Sequence, residues 1–197
     1  MIVKLSRAIV RFISANTDID NELIAVYQYG VEITISSILN IALIFLCGLI
    51  IGDLMYSIVF LMCFIPIRSY CGGYHASTYF KCNLIFVITF LFVVLLSRVS
   101  ENIINYNAYV YFWVALFAFI PIVIFSPVKN ANKKLSVSMA KKSKCISIIL
   151  FLLSTCLAMY LIHCKINFGI VVIMTVAAVS VMIIVEIFMQ RRGYHEV

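Results

Sequence analysis

The stretch ITISSILNIALIFLCGLII, residues 33–51, decides the fold because its nineteen successive residues carry no charge. A helix needs ~20 apolar residues, within a range of ~17–25, to cross the hydrocarbon core of a bilayer. Three further runs have 18 residues each and also meet this requirement, namely Ala108–Phe125, Cys145–Ile162 and Phe168–Val185. These four runs predict transmembrane helices.

Two other apolar runs, Met55–Ile67 and Asn83–Ser97, are short for a membrane span. Three explanations are open: the helices extend into polar residues, the membrane is thinned there, or the segment between the runs dips into the protein. The whole chain is 64% hydrophobic and 12% charged, far from the ~45–50% and ~25% of soluble domains. We therefore predict an all-α integral membrane protein, a single membrane domain over residues 1–197 with about six transmembrane helices.

The distribution of Lys and Arg predicts the orientation. If all six runs cross, thirteen of the fifteen Lys and Arg residues fall on one side, and only Arg98 and Lys165 fall on the other. Loops on the cytoplasmic side carry the excess of positive charge. Both termini are therefore expected in the cytoplasm, together with a polar segment at 68–82 and a basic loop at 126–144.

Residues 1–30 precede the first long run and have a different pattern. Three cations share one helical face and four apolar residues share the opposite face: Lys4, Arg7 and Arg11 against Leu5, Ile9, Phe12 and Ile13. This pattern predicts an amphipathic helix in the plane of the membrane surface. A second helix follows, and Glu32 lies at its entry into the membrane, where we interpret it as an interfacial charge rather than a substrate contact.

The polar segment between the two short runs holds the chemistry-bearing residues. His75 and Cys82 lie beside Gly72 and Gly73, and an imidazole can remove the proton that makes a thiol a nucleophile. Cys71 lies nearby as a second thiol. The residues by themselves leave three interpretations open: an interfacial histidine without chemistry, a metal site, or a catalytic dyad. The C-x3-H-x6-C spacing is not a common zinc pattern.

A dyad imposes a geometric condition on this segment. Two residues seven positions apart stand ~10 Å apart along a straight helix, whereas a base must lie within ~3 Å of the group it deprotonates or reach it through one water. The segment must therefore bend, and glycines at 72 and 73 are suited to the backbone angles of a bend.

The chain resembles the accessory gene regulator B family, bacterial membrane endopeptidases that process quorum-sensing pro-peptides. The resemblance is carried by Arg68, Gly73, His75 and Cys82 in the spacing R-x4-G-x-H-x6-C, and by the basic segment SPVKNANKK at 126–134. It implies that His75 and Cys82 are catalytic and that Arg68 and Gly73 support them. It also implies cleavage of the C-terminal tail of a pro-peptide through a thioester on Cys82, which leads to a cyclic thiolactone signal.

The partners expected from this resemblance are a pro-peptide with an acidic C-terminal tail and the lipid of a bacterial cytoplasmic membrane. Lys129, Lys133 and Lys134 are candidates to bind the tail, although basic loops beside a membrane also serve orientation and lipid contact. A homodimer is left open. No cofactor, metal or nucleic acid is expected. The alternative function is a non-enzymatic membrane transporter or peptide-export component, which would not need Cys82.

Overall fold

A computed structural model of the chain describes residues 2–17, 21–72, 78–104, 107–128 and 136–192. The described residues form seven helices and no strand: α1 Ile2–Asn16, α2 Asn21–Ile51, α3 Leu54–Cys71, α4 Tyr79–Ile104, α5 Ala108–Phe125, α6 Val137–His163 and α7 Phe168–Arg191. Six of them, α2 to α7, are long and apolar enough to cross a membrane. The predicted fold class, with six spans after an N-terminal helix, is confirmed.

The two short runs are crossings because their helices extend into polar residues. α3 has 18 residues and ends at Cys71, four positions beyond the apolar run, and α4 has 26 residues and begins at Tyr79. At 1.5 Å per residue, α3 is about 27 Å long, close to the thickness of the hydrocarbon core. The first of the three explanations for the short runs is therefore correct.

The last helix, α7, is the centre of the bundle. It is the most buried of the six spans and packs against α3, α4, α5 and α6. Small residues allow the close approach, as is usual between helices in membranes. A Cβ on Gly169 would lie 2.6 Å from the carbonyl oxygen of Ala158 in α6. The hydroxyl of Ser180 donates to the carbonyl of Ala118 in α5 at 2.6 Å.

The two ends of the bundle are connected differently. At one end, here called the Asn167 end, the α2–α3 and α6–α7 turns meet: the ring of Tyr56 lies 6.1 Å from that of Phe168, and the Asn167 amide donates to the Glu101 carboxylate. The opposite end, here called the Cys82 end, carries the starts of α2, α4 and α6 and the ends of α3, α5 and α7.

The helix α1 lies against α2 at the Cys82 end. Ser6 and Val10 are its buried residues and face α2. The apolar side chains of Leu5, Ile9 and Phe12 point outwards and are exposed, which agrees with a helix that faces lipid. The sequence pattern predicted two faces, one cationic and one apolar. The structure adds a third, narrow face that the pattern did not reveal, and this face joins α1 to the bundle.

Candidate functional site

The chain breaks between α3 and α4, where a catalytic dyad requires a bend. The helix α3 ends at Cys71 and is capped by Gly72, whose backbone N–H donates to the Arg68 carbonyl at 3.0 Å and whose φ is 75° and ψ −159°. Residues with a Cβ rarely adopt these angles. The next described helix begins at Tyr79. The end of α3 beside Gly72 agrees with the predicted bend, but Gly73 and His75 lie outside the described residues, so the bend between His75 and Cys82 stays a prediction.

Cys82 lies in the first turn of α4. Its backbone N–H donates to the Thr78 carbonyl at 3.0 Å, and the Thr78 hydroxyl accepts from the N–H of Lys81 at 3.3 Å. Thr78 therefore caps the helix. The side chain of Cys82 is half-buried. The N-terminus of a helix favours negative charge, and the Cys82 side chain lies within this first turn.

Arg68 lies on the side of α3 that faces α4. Its guanidinium lies 5.5 Å from the centre of the Phe64 ring, and the Phe64 ring is packed edge-on, at 5.0 Å, against that of Phe86 in α4. Arg68 is one turn after Phe64, and Cys82 is one turn before Phe86. Because the two helices run in opposite directions, both residues extend from this contact towards the same end. Arg68 and Cys82 are therefore on facing sides of α3 and α4.

Cys71, the second thiol near the site, is enclosed. Its side chain is fully buried, and its thiol lies beside Ser126 and Ser147, whose own hydroxyls lie 2.9 Å apart. Its carbonyl accepts the N–H of Val128 at 2.9 Å. The segment 126–128 thus docks onto the end of α3. The two sequence elements that carried the family resemblance meet here, at Cys71 and Ser126, which are 55 positions apart.

Glu32 is the residue whose role the sequence did not reveal. It was interpreted as an interfacial charge, but only 9% of its surface is exposed. Its carboxylate accepts hydrogen bonds from Ser6 at 3.0 Å, Gln28 at 2.9 Å and Tyr79 at 2.8 Å. Gln28 and Glu32 are spaced i, i+4, which the sequence could have shown. The other two donors come from 26 and 47 residues away, and no local pattern identifies them.

The remaining predicted site residues are the three lysines of the basic loop. Lys129, Lys133 and Lys134 lie outside the described residues. Within the described ranges no group of three His, Cys, Asp or Glu residues could hold a metal ion, and since His75 is outside them, the absence of a metal stays a prediction. All seven cysteines are described, and each is a free thiol.

The fold and the thiol site define a multi-pass α-helical membrane protein with a cysteine at the start of its third span. The chain belongs to the accessory gene regulator B family, whose model matches residues 6–189. Membership places the protein in accessory gene regulator quorum sensing, with a peptide substrate in that system and a membrane location.

Similar proteins carry matching descriptions. An AgrB-like protein of Clostridium perfringens strain SM101 is 28% identical over 145 residues, which cover 72% of this chain and 68% of the relative. AgrB-like protein 2 of Clostridium perfringens strain 13 is 26% identical over 145 residues, which again cover 72% of this chain and 68% of the relative. An AgrB-like protein of Lactiplantibacillus plantarum is 24% identical over 74% of this chain and 73% of its own length. No solved structure matches the chain.

Proposed function

We propose that the protein is a membrane-embedded cysteine endopeptidase that removes the C-terminal tail of a quorum-sensing pro-peptide. The observation that supports this proposal is that α3 ends at Cys71 and α4 begins at Tyr79, three residues before Cys82, so that His75 falls between the two helices in the sequence. A straight helix would have kept the two side chains ~10 Å apart. The burial of Cys71 and the partial exposure of Cys82 favour Cys82 as the thiol that meets the substrate.

The proposed reaction has two acyl transfers. His75 takes the proton of the Cys82 thiol, and the thiolate attacks a peptide carbonyl of the precursor. The C–N bond breaks, the imidazolium protonates the leaving amine, and the tail departs, so that an acyl-thioester remains on Cys82. A cysteine thiol of the precursor then attacks this thioester. The new thioester closes a thiolactone ring, and the proton lost by the precursor thiol returns to Cys82.

The surroundings of Cys82 suit this chemistry. A tetrahedral oxyanion needs donors aimed at it, and the Arg68 guanidinium and the first backbone N–H groups of α4 are candidate donors. The N–H groups of a helix's first turn have no partner within the helix. Gly73 follows Gly72 in the sequence and has the supporting role that the family resemblance gives it.

The proposed substrate is a pro-peptide with an acidic C-terminal tail. With both termini in the cytoplasm, the Cys82 end faces the cytoplasm together with the basic loop at 126–144. Lys129, Lys133 and Lys134 then bind the tail. Since segment 126–128 docks on the end of α3 through the Val128–Cys71 hydrogen bond, the lysines follow a fixed point next to the site. A homodimer stays an untested prediction.

The covalent intermediate tests this function. A precursor whose ring-closing cysteine is replaced by alanine lacks an internal acceptor, so its acyl-enzyme should accumulate and be released by hydroxylamine, which cleaves thioesters. Intact-mass measurement should show the adduct on wild-type protein and on Cys71→Ser, and none on Cys82→Ala or His75→Ala. An adduct mapped to Cys71 would refute the assignment. Normal processing by Cys82→Ala would favour the transporter or export component instead.

A further inference from the structure

The carboxylate of Glu32 joins three helices at the Cys82 end. Its donors are Ser6 on α1, Gln28 on α2 itself and Tyr79 on α4. An ionisable side chain within a membrane span is costly unless its polar atoms are paired. Three donors satisfy this carboxylate. An apolar residue at position 32 would pack without any need for hydrogen-bond donors. The hydrogen bonds to Glu32 therefore indicate a role other than stability alone.

A second connection lies one turn further along the same two helices. The hydroxyl of Ser36 donates to Oδ1 of Asn83 at 2.9 Å. Glu32 and Ser36 are spaced i, i+4 on α2, and Tyr79 and Asn83 are spaced i, i+4 on α4, so each pair shares one face of its helix. The two helices therefore run parallel and in register. The connections flank Cys82, three residues after Tyr79 and one before Asn83.

The start of α4 needs an external attachment. Its first four backbone N–H groups have no acceptor within the helix, and the preceding connection begins at a glycine in a conformation that other residues rarely adopt. The Thr78 cap satisfies one of these groups but does not fix the helix relative to its neighbours. The Tyr79 hydroxyl does so, because its acceptor lies on α2.

We propose that Glu32 is a positioning residue for the thiol chemistry, acting through Tyr79. This inference rests on the proposed function. Glu32 holds the hydroxyl of Tyr79, and Tyr79 sets the rotation and height of the first turn of α4, and with them the direction of the Cys82 side chain. No Asp or Glu occurs between Arg68 and Glu101 in the sequence. The fold supplies a carboxylate to this segment from α2, more than forty residues earlier.

The test compares Glu32→Ala, Glu32→Gln, Tyr79→Phe and the double variant Glu32→Ala/Tyr79→Phe in lipid nanodiscs. We measure kcat and KM for precursor cleavage, the amount of inserted protein and its thermal unfolding. Because a misplacement of about 1 Å costs on the order of 10²-fold in rate, Glu32→Ala and Tyr79→Phe should each lower kcat roughly 10- to 100-fold with little change in KM. Glu32→Gln keeps an acceptor oxygen and should lose less.

Two features of the result separate positioning from a merely structural role. If Glu32 acts through Tyr79, the double variant should be no slower than the slower single variant, since residues in one hydrogen-bond network are not additive. The matched control is Glu101→Gln, which removes a hydrogen-bonded carboxylate at the Asn167 end and should leave kcat unchanged. Tyr79→Phe removes a single hydroxyl, so it reports kcat of inserted protein even where Glu32→Ala fails to insert.

The outcomes for the inference and for the proposed function are distinct. Wild-type kcat in Tyr79→Phe, or a double variant whose loss is the product of the two single losses, overturns the positioning role. Full cleavage by Cys82→Ala overturns the proposed function itself. An inactive Cys82→Ala protein beside fully active Glu32→Ala and Tyr79→Phe proteins would refute only the inference made here.

Discussion

Replacement of Gly72 by alanine should release the segment 126–128 from the end of α3. Gly72 joins the last turn of α3 to the connection that carries His75. A Cβ at this position would lie 3.1 Å from the carbonyl oxygen, 3.2 Å from the nitrogen and 3.3 Å from the Cβ of Val128. Two of these atoms are backbone and cannot rotate away. The clash therefore falls on the hydrogen bond between Val128 and Cys71.

The magnitude has two contributions. A φ of 75° with a ψ of −159° costs a residue other than glycine about 1–3 kcal/mol. Crowding of a packed contact adds about 1–3 kcal/mol. A total cost of about 3 kcal/mol would lower the ratio of docked to released segment on the order of 10²-fold, since 1.4 kcal/mol corresponds to tenfold.

The assay is alkylation of Cys71 in a variant that retains it as the only cysteine. Cys71 is fully buried beside Ser126 and Ser147, so its labelling should require release of the segment. We expect Gly72→Ala to raise the labelling rate on the order of 10²-fold, following the shift in the docked population. In the protein with all its cysteines, the same substitution should reduce precursor cleavage.

Two other glycines provide matched controls. Gly30 lies in a helix with nothing within 4 Å of an added Cβ, so Gly30→Ala should change neither measurement. Gly52 has a φ of 78° and equally open space, but lies at the Asn167 end, so Gly52→Ala carries backbone strain without the clash and should leave Cys71 protected. Wild-type labelling and cleavage in Gly72→Ala would refute the reasoning.

Three further predictions concern packing, orientation and the basic loop. Gly169→Ala should lower the thermal stability by about 1–3 kcal/mol, because its Cβ would lie 2.6 Å from a backbone oxygen of α6; unchanged unfolding would contradict the close packing. In cells, an impermeant maleimide should label native Cys164 as the only cysteine, and should label Ser138→Cys only after lysis; equal labelling would refute the orientation. Replacing three loop lysines with glutamine should weaken precursor binding, and wild-type affinity should fall as salt rises, whereas salt-independent binding would contradict tail recognition. The three are Lys129, Lys133 and Lys134.

Hydropathy predicted the membrane fold because each long span is apolar around its whole circumference. It underestimated α3 and α4, since the turns of these helices at the Cys82 end contain Arg68 and Lys81, which break an apolar run without breaking a helix. The predicted bend at the glycines also followed from spacing alone. Both results depend on neighbours within a few residues.

The rest of the site depends on contacts between distant segments. Glu32 resembles any interfacial charge until the hydroxyl of Tyr79, 47 residues later, is brought to it. The protected state of Cys71 likewise depends on Ser126, just after α5, and on Ser147 in α6. A sequence pattern records which side chains share a helical face, but it does not record which faces meet. The positioning role of Glu32 was therefore out of reach of the sequence.

The central place of α7 has a consequence for the timing of biosynthesis. α7 packs against four other helices and is made after all of them. At about 5–20 residues per second, the ribosome needs roughly 5–20 s to go from Cys82 to the end of α7. During this interval α3 and α4 are already synthesised but lack the helix they pack around. A nascent chain therefore carries the Cys82 thiol well before it has the central helix against which α3 and α4 pack.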